Sequence, residues 1–302
     1  MSLAILFSGQ GGHNTDMFRL FMGNRELMKY LEEACASIGI KVSGAEGLLK
    51  EKILPNKYAQ PLICVFCYGI WQGLKDSLPK PSYFAGFSLG ELSAYACAGA
   101  FDFATLIKLS ISRAEFMDEA VSDDITVIAV KGIPVKEIEE ECEKSGTYIM
   151  IVSGPSHVTV GGNSANMEKF RSNLNCETVE IALKVPSHTP LMKTASEKFE
   201  KVLREINFAN LSIPVIAGID GSIVRNREAG IAALSTQICK TLRWDLCMRN
   251  LYERRIKVFL ESGPGRTLSH IAEENLHGIS ARSIDDFRTL PGIGDWVMKH
   301  NM

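Results

Sequence analysis

A serine stands between two glycines at Gly86-Phe87-Ser88-Leu89-Gly90, with the apolar run Tyr83-Phe84-Ala85 before it and a stretch rich in small residues, Glu91 to Ala98, after it. A strand that bends this sharply into a helix leaves no room for a Cβ at the flanking positions, so glycine is required on both sides. The bend lifts the serine hydroxyl out at the top of a sheet. It also aims the N–H of the next residue, Leu89, at the place where an oxyanion would form. The five-residue string is uninformative by itself in a glycine-containing chain of this length. Its position directly after a strand and before a helix gives it meaning.

The remaining elements say what kind of sheet carries this turn. Leu3 to Ser8 predicts a buried strand ending in Gly9-Gln10-Gly11-Gly12, and helical patterns follow to about residue 51. Gln60-Pro61 predicts the opening of another helix with proline in its first turn. Asp102 is a candidate N-cap for a helix running to about Ala120. The texture changes near residue 125. Thr126–Val130, Tyr148–Val152, His157–Val160 and Thr178–Ala182 predict strands, Val135–Lys144 and Ala165–Leu174 predict helices, and Ser153–Ser156 predicts a turn. That β-α-β-β-α-β order is the split βαβ unit of a ferredoxin-like domain. Beyond it, Leu191–Ile206 and Ile231–Leu251 predict helices, and Pro214–Ala217 and Val258–Glu261 predict strands. Ser262-Gly263-Pro264-Gly265 predicts a tight turn, and Thr267–Glu274 the start of another helix. Strands alternating with helices on both sides of an insertion predict an α/β fold, its parallel sheet covered on both faces. The expected division is a large domain from residues 1–124 and 191–302, and a small ferredoxin-like subdomain from residues 125–190.

Composition excludes several function classes. The 302 residues carry a net charge of −2, so no basic field points to nucleic acid. The cluster Arg254-Arg255 with Lys257 reads as a solvated helix end. No run approaches 18 apolar residues, and the short apolar N-terminus lacks the basic start of a signal peptide. The eight cysteines have no framework spacing, and Cys64 and Cys67 lie inside the apolar run Leu62–Leu74, where they read as small core residues. Reduced thiols and a cytoplasmic location are expected.

A serine hydroxyl is a poor nucleophile until a base takes its proton, and six histidines could supply one. His300 is in the tail, His270 and His277 lie in a C-terminal helical segment, His13 is near the first glycine turn, and His157 begins a strand. His188 stands apart in Val185-Pro186-Ser187-His188-Thr189-Pro190, a loop fixed by two prolines where the chain returns from the small domain to the large one. Pattern alone leaves a catalytic base and an ordinary loop histidine both open. Arg113 falls near the apolar face of its helix, between Ser110 and Met117, where a guanidinium must find an anion or several acceptors. A structural carboxylate and a substrate carboxylate held bidentately are the two partners to weigh, and the residues by themselves favour the structural one. No acidic third member of a triad is evident.

Taken together, these residues resemble the malonyl-CoA:acyl-carrier-protein transacylases and the related acyltransferase domains of polyketide synthases. Four landmarks match in order: Phe7-Ser8-Gly9-Gln10-Gly11, Gly86-Phe87-Ser88-Leu89-Gly90-Glu91, Val185-Pro186-Ser187-His188 and Gly263-Pro264-Gly265. Gln60-Pro61, Arg113 with Met117, and Gln237 with Trp244 fall where the family places them, and the likeness spans about residues 3 to 275. The resemblance implies an α/β-hydrolase-like parallel sheet core. Ser88 would be the acylated nucleophile and His188 its base. The N–H groups of Gln10 and Leu89 would form the oxyanion hole, and Arg113 would pair with the malonyl carboxylate. Gln237 would be the position whose main-chain carbonyl orients the histidine. Three departures stand out. Phe87 replaces the histidine common before the nucleophile, Gly12 and His13 replace a small residue and a glutamine, and Ser153 stands where the transacylases carry asparagine. Phe87 and Ser153 would therefore alter how the acyl group is held. The segment Ala281 to Arg288 through Trp296 is similar to the tail of the malonyl-transferring subunit of malonate decarboxylases.

The implied reaction is ping-pong transfer of malonyl from malonyl-CoA to a phosphopantetheinylated acyl carrier protein. It needs no metal, no tightly bound cofactor, no nucleic acid and no membrane, and a monomer is expected. Malonyl transfer within a malonate decarboxylase complex, or by a discrete polyketide-synthase acyltransferase, is the alternative setting that the resemblance leaves open. A serine hydrolase or thioesterase, which would share the serine and histidine, and a non-catalytic carrier-docking module are the competing readings of another class.

Overall fold

The computed structural model describes residues 2–40, 55–121, 124–174 and 176–301. The chain is an α/β structure of two sheets. The larger sheet has the order β11 (Ser280–Ser283), β10 (Val258–Ser262), β1 (Leu3–Phe7), β2 (Tyr83–Gly86), β7 (Val215–Ile216), β8 (Ile223–Val224). Every neighbouring pair in it is parallel except β7 with β8. Strand β1 is buried at all five residues, LAILF, as a strand covered on both faces must be. Its register aligns Phe7 with Ser262 on one side and with Gly86 on the other. The turns that leave β1, β2 and β10 therefore emerge at one carboxyl edge, the place where open α/β sheets bind ligands.

The smaller sheet has the order β6 (Thr178–Ile181), β3 (Ile125–Lys131), β5 (His157–Asn163), β4 (Tyr148–Gly154), β9 (Leu242–Arg243), antiparallel except where β4 meets β9. Helices α5 (Val135–Ser145) and α6 (Ser164–Asn173) pack on it around Ile128, Ile138, Val160, Met167 and Phe170. The other helices belong with the larger sheet: α1 (Arg25–Ser37), α2 (Asn56–Leu74), α3 (Leu89–Cys97), α4 (Phe103–Glu119), α7 (Lys193–Glu205), α8 (Arg227–Thr236), α9 (Trp244–Glu253), α10 (Thr267–Asn275) and α11 (Leu290–His300).

Two of these helices set up the site. In α3 all nine residues are buried, which suits its run of alanines and small side chains. In α4 the Asp102 carboxylate accepts the Thr105 N–H at 2.8 Å, as an N-cap should. The buried stripe of α4 runs Phe103, Leu106, Ile107, Ser110, Arg113, Ala114 and Met117, so the arginine does sit on the apolar face.

Several expectations need correction. Helix α2 begins at Asn56 after Pro55, so Pro61 lies inside it rather than in its first turn. The proline costs one intrahelical hydrogen bond there, and the helix persists because 13 of its residues are buried on all sides. The segment Ile231–Leu251 is not one helix: α8 ends at Thr236, and the chain crosses to the smaller sheet as β9 before α9 begins. Ser153 lies in β4 and not in a turn, beside a register irregularity between Val152 and Gly154. His277 falls beyond the end of α10, and His300 sits in α11. From residue 41 onward, the helical continuation expected to about residue 51 lies outside the described residues. Strand β11 and helix α11 have no counterpart in the sequence reading.

Candidate active site

Three glycine turns interlock at the carboxyl edge of the larger sheet. A Cβ on Gly90 would fall on the Phe7 carbonyl oxygen, one on Gly86 on the Glu91 amide, and one on Gly9 would meet the Phe87 oxygen at 2.6 Å. Gly12 abuts Pro264, and Gly263 abuts Ser8. The backbone of the Gln10 loop thus lies directly against the turn that carries Ser88. Ser88 itself has φ 55° and ψ −113° at the N-terminus of α3, a left-handed conformation rare for a residue with a side chain. Such strain costs about 1–3 kcal/mol and persists only where the surroundings impose it.

The Ser88 Oγ lies 2.8 Å from His188 Nε2. His188, also at positive φ (65°), comes from the proline-flanked loop and is 2% exposed. Its N–H donates to the Ile238 carbonyl at 2.8 Å, and Thr189 Oγ1 donates to the Pro186 carbonyl at 2.7 Å, which fixes the loop. On the far side of the ring, Nδ1 is 2.5 Å from the Gln237 main-chain oxygen. A carbonyl can only accept, so Nδ1 carries the proton and Nε2 is left as the acceptor facing Ser88. Gln237 is the C-cap of α8. Because that helix stops here, the carbonyl that another turn would have occupied is available to the imidazole. Burial holds the His188 pKa down to about 4, partly offset by the bond to Gln237, and Arg113 depresses it further. The ring is therefore neutral at pH 7 and able to take a proton.

Arg113 reaches the same point from α4. It is 2% exposed, donates Nη1–H to Gln60 Oε1 at 2.9 Å, and places Nη2 3.4 Å from Ser88 Oγ. Among the described residues no carboxylate forms a salt bridge with it. Desolvation pulls its pKa down to about 10. Among the described residues, the structural carboxylate that the residues alone favour is absent from hydrogen-bonding range. A buried guanidinium beside a serine–histidine pair is equipped to receive an anionic group.

A model of the acyl transferase domain family matches residues 5–294. The chain belongs to the acyl transferase domain family. It is 27% identical over 297 residues to the malonyl CoA-acyl carrier protein transacylase of Escherichia coli, covering 94% of this chain and 96% of that one. It is 30% identical over 285 residues to the polyketide biosynthesis malonyl CoA-acyl carrier protein transacylase BaeC of Bacillus velezensis, covering 88% and 94%. The crystal structure of FabD from Acinetobacter baumannii superposes with a TM-score of 0.91 at 25% identity, covering 99% of this chain and 98% of that one.

The other candidate residues of this acyltransferase divide by location. Leu89 begins α3 and is 1% exposed. Gln10 uses its side chain elsewhere: Nε2 donates to Asn56 Oδ1 at 2.8 Å, and Asn56 Nδ2 donates to Asp118 at 2.6 Å. Phe87 turns to the opposite face of the sheet and packs edge-on against Trp244, with centroids 5.3 Å apart. Ser153 is half-buried in β4, and among the described residues no hydrogen bond joins it to Ser88, His188 or Arg113. Cys64 and Cys67 are free and fully buried in α2, with burial raising both thiols, Cys64 to about 12, so neither forms a thiolate near neutral pH. Among the described residues no group of three or more His, Cys, Asp or Glu side chains could hold a metal ion. No helix among them is long and apolar enough to cross a membrane.

Three polar residues have roles at the site that the sequence reading does not assign. Gln60, expected to open a helix, instead accepts from Arg113 and orients it. Glu91, 0% exposed, accepts from Gly218 N at 3.0 Å and Gln237 Nε2 at 2.9 Å. Glu261 accepts from Ser8 Oγ, Leu268 N, Ser269 N and Ser269 Oγ, all within 2.8–3.1 Å, and so anchors the residue before the Gly9-Gln10 turn. A signal for the two glutamates existed: each is a lone charge inside an otherwise apolar or small-residue element. The C-terminal segment also contributes. Asp285 accepts the Gly265 N–H at 2.8 Å, and Ser283 Oγ donates to the Gly265 carbonyl at 2.5 Å, bracing the turn that abuts Gly12.

Proposed function

We propose that this acyltransferase moves a malonyl group from malonyl-CoA to the phosphopantetheine thiol of an acyl carrier protein through a malonyl-Ser88 intermediate. The observation that carries the reading is Arg113, a buried guanidinium 3.4 Å from Ser88 Oγ with no salt-bridge partner among the described residues. In a malonyl thioester the carboxylate is one methylene from the reacting carbonyl. A cation beside the nucleophile can therefore hold it while the carbonyl faces Ser88. The names of the relatives described above support the same donor and acceptor.

In the forward half-reaction Ser88 Oγ attacks the thioester carbon while His188 Nε2 takes its proton. The tetrahedral oxyanion rests on the N–H groups of Gln10 and Leu89, each contributing roughly 3 kcal/mol in the transition state. The C–S bond breaks, and the imidazolium returns its proton to the leaving coenzyme A thiolate. In the second half-reaction His188 takes the proton of the carrier thiol, the sulfur attacks the malonyl ester, and Ser88 leaves with that proton. The Gln237 carbonyl steadies the imidazolium in both halves, as the acidic member does in a Ser-His-Asp triad. No redox or metal step is required, and malonyl-CoA enters as a substrate. A neutral acyl group would leave Arg113 buried and unpaired, a penalty of about 3–5 kcal/mol. Phe87, packed on Trp244, and Ser153, in β4, would act on the acyl group only at a distance.

The same proposal covers the architecture and setting. The larger sheet is read as an α/β-hydrolase-like core from residues 1–124 and 191–302. Residues 125–190 are read as a ferredoxin-like subdomain, a division supported by the strand order β6-β3-β5-β4. Strand β9, from the larger unit, extends that small sheet. A cytoplasmic monomer is part of the reading.

The test is the intact mass of the protein after brief mixing with malonyl-CoA. Wild type gains one malonyl group and Ser88→Ala gains none. Label retained by the alanine variant would sink the assignment. Rapid loss of the acyl group to water without a carrier would point to a thioesterase instead.

A further inference from the structure

We infer that Glu91 is a positioning residue for His188, acting through the side chain of Gln237. This rests on the Ser88–His188 reading and adds a component to it. The carboxyl oxygen Oε2 of Glu91 accepts from Gln237 Nε2 at 2.9 Å, while the main-chain oxygen of the same Gln237 receives His188 Nδ1–H at 2.5 Å. Holding the glutamine side chain therefore holds the carbonyl that aims the imidazole. The second bond of Oε2, from Gly218 N at 3.0 Å, ties the carboxyl to the segment just after β7.

Glu91 also lies on the first turn of α3, three residues after Ser88, and its N–H donates to the Ser88 carbonyl at 3.0 Å. Nucleophile and base are thus both referenced to one turn of helix. Ser88 belongs to that turn directly, and His188 is reached through Glu91 and Gln237. A 2.8 Å contact between residues 100 positions apart needs such a common reference.

Packing by itself gives no reason for a carboxyl here. Glu91 is 0% exposed, among the described residues its Oε1 has no hydrogen-bond partner, and an apolar side chain of similar volume would avoid the desolvation cost but strand the Gly218 and Gln237 N–H groups. Burial raises its pKa to about 8, with the Gly218 N–H opposing the rise. The charged groups that face it are Asp220 and Arg113, and Tyr95 and Cys247 are the neighbouring neutral acids. A protonated carboxyl suits the same partner, because the Gln237 amide can rotate to offer Oε1, which is likewise without a hydrogen-bond partner. The clamp therefore survives in either protonation state.

The experiment follows exchange of labelled coenzyme A into malonyl-CoA by the full chain, with turnover expressed per serine that takes up malonyl mass. Gln237→Met keeps the main-chain carbonyl and removes its tether. It should lower turnover about ten-fold with KM changed by less than about two-fold. Glu91→Leu should fall equally, and Glu91→Leu combined with Gln237→Met should be no worse than either single change. Glu91→Gln, whose amide oxygen still accepts from Gly218 N and Gln237 Nε2, should recover most of the turnover. If Gln237→Met or Glu91→Leu turns over like wild type per acylated serine while only thermal stability falls, Glu91 is structural and the inference fails. If Glu91→Leu does not fold, the pair Gln237→Met and Glu91→Gln still decides. If wild type takes up no malonyl mass, the proposed function fails instead, whatever the variants do.

Discussion

Replacing Arg113 by methionine separates recognition of the acyl group from catalysis by the serine. Methionine fills much of the same volume, so the change removes the charge without opening a large cavity. In the free protein it leaves Gln60 Oε1 without its donor, which lies at 2.9 Å, and a lost buried partner costs about 1–3 kcal/mol of stability. That loss is the same whichever thioester is offered. With malonyl-CoA the variant also loses a charge-assisted contact made in a site where the guanidinium is only 2% exposed. Breaking a buried ion pair costs about 3–5 kcal/mol, which corresponds to about 100- to 5,000-fold in kcat/KM. With acetyl-CoA there is no carboxylate to lose, and relief of an unpaired cation should leave its kcat/KM unchanged or raised. The assay is acylation of Ser88 followed by intact mass at several concentrations of each thioester. The malonyl-to-acetyl ratio should collapse by at least about 100-fold. A ratio unchanged in Arg113→Met would refute the reasoning, because the guanidinium would then be serving the fold and not the substrate.

Three further outcomes follow from the same geometry. With its pKa held at about 4, His188 stays neutral and competent well below neutrality, so kcat/KM for acylation should fall only as pH drops through about 4; an acid limb near 6.5 would contradict the burial argument. Glu91, raised from 4.5 to about 8, keeps in the folded state a proton that the unfolded chain has released, so it contributes a loss of stability as pH rises from 4.5 to 8. His188 contributes the opposite slope between 4 and 6.5, losing stability as pH falls. Between pH 6.5 and 8 the Glu91 slope, at most about 1.4 kcal/mol per pH unit, should be visible in urea unfolding and flattened in Glu91→Gln. Gly90→Ala would drive a methyl group onto the Phe7 carbonyl oxygen and should cost about 3 kcal/mol or more. Gly23→Ala, at φ +78° in open space, should cost only about 1 kcal/mol, and equal melting temperatures for the two would show that the glycine turns are not tightly packed.

What was legible beforehand follows from where the information sits. The strand–Ser88–helix turn, the Asp102 cap and the buried face of α4 are set by neighbours in the chain, through steric limits on backbone angles and helical periodicity. These were all readable. The split of Ile231–Leu251 was not, because Leu242 and Arg243 leave a helical pattern to pair with Ile151 and Val152, some 90 residues away. The position of Pro61 inside α2 is illegible for a similar reason. Complete burial of the surrounding residues outweighs the local cost of the missing N–H. Strand β11 went unseen because Ser280–Ser283 is an edge strand with only one alternating apolar position well buried on the core side, and β10 supplies its pairing.

By itself, then, the sequence determined that Ser88 would stand on a sharp strand-to-helix turn and that Arg113 would lie on the apolar face of an amphipathic helix. Both are consequences of short-range covalent geometry and of which side chains leave water. Tertiary structure decided that the two would meet. Their contact depends on parallel strands of distant origin ending level with one another and on three glycine turns packing backbone to backbone. It also decided that the Gln237 carbonyl, freed by the end of a helix, would stand beside His188 where a Ser-His-Asp triad has an acidic side chain. A main-chain carbonyl looks the same at every position of a sequence, so residue chemistry singles none out, and before the fold only the family resemblance points to Gln237.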